Sequence, residues 1–229
     1  MILKEESVGS FETSSLMTKV YFLMAMALMI TGITAITVAS SKELAMSIFG
    51  NRIVFYALIF GELGLVWFLG AQIDRLSFPI AVGSFVLYSV LNGATLSAIF
   101  FVYSTNAIGA AFMVTAGTFV VMSIYGYVTK QDLSAIGNLL LMALVGVIIA
   151  TIVNMFMHNE MLDSIITYIG VLIFVGLIAY DTQKIKNRAY NMIGYGDVGV
   201  KIALMGALDL YLDFINLFLY ILKLFGRKR

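Results

Sequence analysis

The chain has 229 residues, of which 61% are apolar and only 12% charged, with a net charge of +1 and a mean hydropathy of +0.99. A soluble domain carries about 25% charged residues, so this composition excludes an ordinary water-soluble protein and gives no electrostatic footing for a nucleic-acid partner. The absence of cysteine excludes disulfides and thiolate metal sites.

Residues Met1 to Lys19 are polar and of mixed charge, and read as an N-terminal tail. They lack the basic segment and cleavage site of a secretory signal, so the first span is expected to stay as an anchor. Val20 to Ser41 then runs without a charge, long enough for a bilayer crossing of about 20 residues. Between Arg52 and Asp74 the sole charge is Glu62. Leu76 to Thr129 is uncharged and long enough for two spans, with Ser104, Thr105 and Asn106 as the turn between them. Leu133 to Met157 is a fifth uncharged run, Ser164 to Tyr180 a short sixth, and Ile202 to Leu222 the seventh. Unpaired amides are not tolerated in lipid, and these runs are too long for barrel strands. The expected fold is an all-α polytopic membrane protein. It has one seven-helix domain over residues 20–225 and a basic tail over 226–229. Gly83, Gly93, Gly109, Gly117, Gly170 and Gly176 read as sites of close helix packing.

With the N-terminus inside and seven crossings, eight Lys and Arg fall on the inner side and six on the outer. A re-entrant last segment would make this twelve against two. Segment length and the dominance of the first helices favour the full span.

The last segment holds two acids. Asp209, Asp213, Asn216 and Tyr220 recur at i, i+4, i+7 and i+11, one narrow stripe on a helix otherwise of Leu, Ile and Phe. A carboxylate at a helix centre in hydrocarbon costs roughly 2.5–3.5 kcal/mol on insertion scales. Such a helix belongs in the middle of a bundle, its stripe turned to a cavity or another polar group. Asp181 is the expected partner of Asp213. Asp213 lies eleven residues past Ile202, about 16 Å along a helix, so Asp181 reaches it only if the sixth helix continues past its apolar run. Two carboxyls in contact would share one proton. Once ionised they offer hard oxygen ligands suited to Ca²⁺.

Glu62, mid-span, reads as a pore or relay group. Arg75, beside Asp74, reads as an interfacial anchor or as a latch that pairs with one aspartate. Asn92 and Asn154 read as interhelix glue. His158, the single histidine, falls in a loop, so any pH response must come mainly from carboxyl groups. Trp67 and the tyrosines suit interfaces.

Three other readings fit less well. Ala179-Tyr180-Asp181 with Gly194-Tyr195-Gly196-Asp197 resembles the paired motifs of presenilin-like proteases, but Asp197 comes only sixteen residues after Asp181, which leaves no room for a span. A retinal protein needs a lysine inside the last span, where only Lys201 and Lys223 stand at its ends. A larger transporter would show paired broken helices. The chain is therefore not expected to be an enzyme.

Ala179-Tyr-Asp-Thr-Gln-Lys-Ile185, a short basic loop, and Leu208-Asp-Leu-Tyr-Leu-Asp-Phe-Ile-Asn-Leu-Phe218 resemble the C-terminal signature of the Bax inhibitor-1 family. Small loops and the lack of extra domains resemble its bacterial, inner-membrane members. The resemblance implies seven helices with the last at the centre of two three-helix layers, and a pH-sensitive Ca²⁺ leak. It maps the family's aspartate pair onto Asp181 and Asp213, its second-helix acid onto Glu62 and its latching arginine onto Arg75. Asp209 is an additional carboxylate. No cofactor is implied, with Ca²⁺ as permeant or regulatory ion and protons as the gating ligand. Some bacterial relatives modulate a membrane-bound protease, so the alternative is a regulatory membrane protein acting on a protease or stress-response partner.

Overall fold

A computed structural model describes residues 2–73, 75–191 and 196–226, with side chains for 13–73, 75–190 and 199–226. Among the described residues the chain is helical and has no strand. The elements are α1 (Ile2–Ser40), α2 (Lys42–Phe49), α3 (Arg52–Gln72), α4 (Phe78–Leu96), α5 (Ile99–Val102), α6 (Thr105–Val128), α7 (Ser134–Met157), α8 (Glu160–Asn191) and α9 (Gly196–Phe225).

Local chemistry sets the helix starts. Ser41 accepts from the Leu44 amide at 3.3 Å and Asn51 from Ile53 at 3.0 Å. Ser104 accepts from Ala107 at 3.2 Å and Asn159 from Leu162 at 2.9 Å. Each satisfies an amide that has no partner within its helix. Pro79 sits in the first turn of α4, where its missing N–H costs nothing. His158 ends α7 in the left-handed region, φ 52°, a position usually given to Gly or Asn.

Seven stretches are long and apolar enough to cross a membrane: Thr13–Ser40, Arg52–Gln72, Phe78–Val102, Thr105–Val128, Ser134–Met157, Glu160–Tyr190 and Gly199–Phe225. The last is the most buried, with 67% of its most apolar window enclosed, against 6% for α3. That burial is what a polar-striped helix requires, and α9 runs unbroken rather than folding back.

Helix α1 begins at Ile2, so the polar residues ahead of Lys19 are helical too. Two expectations from the sequence change. The cations Lys184, Lys186 and Arg188 are not in a loop: α8 carries them and runs on to Asn191. Gly83, Gly109 and Gly117 have no atom near enough for a β-carbon to touch, so the close-packing reading holds only for Gly93, Gly170 and Gly176 of the six.

The chain divides into two compact units. The first comprises residues 1–102 and 188–211, the second 103–187 and 212–229. Both α8 and α9 change unit along their length, α8 at Arg188 and α9 at Leu212. In the first unit α4 packs on α1 and α3. A β-carbon at Gly93 would fall 2.5 Å from the Thr31 carbonyl oxygen, so α1 and α4 approach backbone to backbone. In the second unit α8 packs on α6 at Gly126 and Ala179, and on α7 at Gly137 and Tyr180.

Candidate functional site

Asp181 of α8 and Asp213 of α9 both fall in the second unit. Helix α8 continues ten residues past Asp181, the continuation that the depth of Asp213 demanded. Asp181, Thr182 and Gln183 are three consecutive buried polar residues. Asp181 Oδ1 meets the Lys184 ammonium at 2.8 Å, one turn along the same helix. Gln183 clamps the segment ahead of α7, donating to the Gln131 carbonyl at 2.8 Å and accepting from the Leu133 amide at 2.9 Å. Lys186 donates to the Tyr127 carbonyl at 2.7 Å in the last turn of α6, a cation closing a helix C-terminus. Gly126 lies so close to Ala179 that a β-carbon there would overlap the Ala179 carbonyl. The backbone around Asp181 is thus tied down from α6, from α7 and from the loop between them.

Asp213 is 5% exposed on α9. The next residue, Phe214, makes edge contacts with Phe112 at 5.5 Å and Phe119 at 5.7 Å, both on α6. An acid beside an aromatic cluster has little water to solvate its charge. Of the other stripe residues, Asn216 donates to the Leu212 carbonyl of its own helix at 2.8 Å. Tyr220 is half-buried, stacked on Phe174 of α8 with ring centroids 5.9 Å apart. Asp209 is half-buried and belongs to the first unit.

Two further contacts set how α8 and α9 run. Lys223 near the end of α9 meets Asp163 near the start of α8 at 2.5 Å, and Gly170 of α8 lies against the Tyr220 ring. Numbers rise along α8 as they fall along α9, so the helices are antiparallel. The ion pair is half-exposed and worth about 0–1 kcal/mol. Beside it, burial and the Asp163 charge push the Tyr103 hydroxyl above the usual phenol range.

The first unit holds a second polar cluster, around Glu62 of α3. Its carboxylate accepts from the Asn92 amide at 3.1 Å and from the Thr95 hydroxyl, both on α4. Asn92 Oδ1 lies 3.0 Å from the Tyr211 hydroxyl of α9. That hydroxyl is 2.7 Å from Thr31 Oγ1 of α1, itself 3.0 Å from the Ser89 carbonyl. Tyr211 is fully buried, its ring in edge contact with Phe85 and Tyr88. Asn92 is therefore interhelix glue, as its position suggested. Asn154 is not: its amide oxygen accepts from the Asn159 amide at 3.0 Å and closes the turn after α7.

Arg75 is exposed in the turn after α3, and its latch role rests on the resemblance alone. Asp74, Gly194 and Tyr195 lie outside the described residues, as does the side chain of Asp197. The sequence reading missed Tyr211, Thr31 and Gln183. A tyrosine in mid-span, two residues from Asp213, was the available signal for the first. Among the described residues no group of three or more metal-ligating side chains stands together.

Comparison with known proteins agrees with this architecture. Residues 13–229 match the family described as Inhibitor of apoptosis-promoting Bax1. The chain is 46% identical over 214 residues to the inner membrane protein YbhL of Escherichia coli K12, covering 93% of this chain and 92% of that protein. It is 40% identical over 227 residues to a protein of Borreliella burgdorferi, covering 99% and 98%. It is 39% identical over 213 residues to RP147 of Rickettsia prowazekii, covering 93% and 89%. A helical chain with seven bilayer-length spans that matches one family from Thr13 to its last residue belongs to it: this protein is a member of the Bax inhibitor-1 family.

Proposed function

We propose that the protein is a pH-sensitive, calcium-permeable leak of the bacterial inner membrane, gated by a proton shared between Asp181 and Asp213. The observation that carries this reading is register. Asp181 lies seven residues past Phe174 on α8, and Asp213 seven residues before Tyr220 on α9. Seven residues are two turns, about 10 Å, and return to nearly the same helix face. In antiparallel helices joined at Phe174 and Tyr220, equal offsets of seven residues would bring the two buried acids to one level, and this register supports the reading.

The chemistry follows from charge. With one proton between them the pair carries a single negative charge, which the Lys184 ammonium balances. The site is then neutral and stays packed. Loss of that proton leaves two carboxylates whose repulsion only a cation relieves, and whose oxygens suit Ca²⁺. Glu62, half-buried at the middle of α3, and Asp209 supply further carboxylates to draw cations. Calcium influx into liposomes carrying the purified protein and an enclosed dye tests the reading. Flux that rises with pH supports it. Absence of flux at every pH would overturn it and favour a partner-binding role.

A further inference from the structure

The Glu62 cluster has more contacts than hydrogens in one of its arrangements. Tyr211 and Thr31 each carry one hydroxyl hydrogen, yet three contacts must be bridged: Asn92 Oδ1 to Tyr211 at 3.0 Å, Tyr211 to Thr31 at 2.7 Å, and Thr31 to the Ser89 carbonyl at 3.0 Å. With Asn92 Nδ2 donating to Glu62 at 3.1 Å, Tyr211 gives its hydrogen to Asn92 and Thr31 gives its hydrogen to Tyr211. The Ser89 carbonyl then receives nothing from Thr31. A half-turn of the Asn92 amide, which occupies the same space, changes the count. The amide NH₂ now donates to Tyr211, Tyr211 to Thr31, and Thr31 to the Ser89 carbonyl, so all three contacts are bridged. The rotated amide presents its oxygen to Glu62 Oε2, and that contact requires a hydrogen on the carboxyl.

We propose that Glu62 is a proton-binding site whose state is passed to α1 by rotation of the Asn92 amide and reversal of the Tyr211 and Thr31 hydroxyls. In the charged state every donor along the chain points toward Glu62. In the neutral state every donor points away from it, ending on the Ser89 carbonyl. The only bond made is the O–H of the carboxyl, with its proton taken from water. Each hydroxyl keeps its own hydrogen and turns. Thr95 donates to the other carboxyl oxygen in both states.

Among the described residues, the titratable groups that sense the Glu62 charge are the phenols of Tyr88 of α4 and Tyr211 of α9. No Lys or Arg among the described residues bonds to it, so its charge rests on neutral hydrogen-bond donors alone. The four helices joined, α3, α4, α9 and α1, all contribute residues to the first unit. The proposal is independent of gating at Asp181 and Asp213, and its failure would leave that reading standing.

Infrared difference spectroscopy of the full chain in lipid, titrated with pH, tests it. Glu62→Gln identifies the Glu62 carboxyl band and Tyr211→Phe, with ring-labelled tyrosine, the Tyr211 C–O band. The expected result is one pH midpoint shared by both bands. Glu62→Gln abolishes the Tyr211 change, and Asn92→Leu abolishes it while the Glu62 carboxyl still titrates. A Tyr211 band that ignores pH in the wild-type chain overturns the proposal without any variant. So does a Tyr211 change that survives Glu62→Gln or Asn92→Leu.

Discussion

Tyr220 of α9 stacks on Phe174 of α8 with ring centroids 5.9 Å apart and planes 30° from parallel, and the proposed register of Asp181 and Asp213 rests on this contact. The hydroxyl contributes little to it, so Tyr220→Phe should leave thermal stability in detergent unchanged. Tyr220→Ala should lower it. Full burial would put the loss near 3–5 kcal/mol, and the half-buried ring places it below that range. The same substitution should alter the pH dependence of calcium flux, since α8 and α9 lose the contact that aligns them.

Gly126 and Gly117 stand on one helix, α6, and predict opposite outcomes. A β-carbon at Gly126 would overlap the Ala179 carbonyl, whereas at Gly117 it meets nothing within 4 Å. Gly126→Ala should destabilise by about 1–3 kcal/mol, the usual cost of overpacking. Gly117→Ala should stabilise by roughly 0.5–1 kcal/mol through helix propensity. Thermal unfolding of both variants in one detergent checks the sign of each.

Gln183→Leu preserves size and removes both bonds to the segment before α7. The Leu133 amide, which the Gln183 carbonyl now satisfies at 2.9 Å, would be left buried without its acceptor. A buried donor deprived of its partner costs about 1–3 kcal/mol. Hydrogen exchange at Leu133 should quicken, while exchange at the remote Ser41 cap should not change.

Asp132, outside the spans, contributes to the acid limb of stability. Hydrogen bonds from the Ser134 hydroxyl and from the Ser134 amide, the latter at 2.9 Å, hold its carboxyl below the usual range. A depressed folded value stabilises the native state above the unfolded value, about 3.9, and that contribution is lost as pH falls through the folded value. Asp132→Asn should lower stability slightly in the neutral region, where the ionised carboxyl contributes, leave it unchanged in strong acid, and so flatten the fall between the two. An acid limb identical to wild type would show that Asp132 carries none of it.

Much of this architecture is legible in the sequence because membrane spans are punctuated by charge. Glu62 and Asp213 stand out as acids in apolar runs, and the short run ending at Tyr180 already pointed to a helix that continues through Asp181. Charge misleads where a helix leaves the apolar layer. Lys184, Lys186 and Arg188 end the apolar run without ending α8, since Lys and Arg are good helix formers. Hydroxyls and amides are quieter still. Thr31, Tyr211 and Gln183 are unremarkable residue types, and their roles depend on partners 180, 119 and 50 positions away in the chain. Glycine is ambiguous by nature: Gly93 meets the α1 backbone and Gly109 meets nothing, though both sit in apolar surroundings.

The central claim is that Asp181 and Asp213 hold one proton between them and that its loss opens a path for calcium. Calcium flux into liposomes, measured across pH for the wild-type protein, Asp181→Asn, Asp213→Asn and the double variant, tests it most directly. Each single substitution should abolish the pH dependence, and the double variant should match the singles because the two residues act as one unit. A wild-type pH profile in either single variant, or effects of the two that simply add, would contradict it.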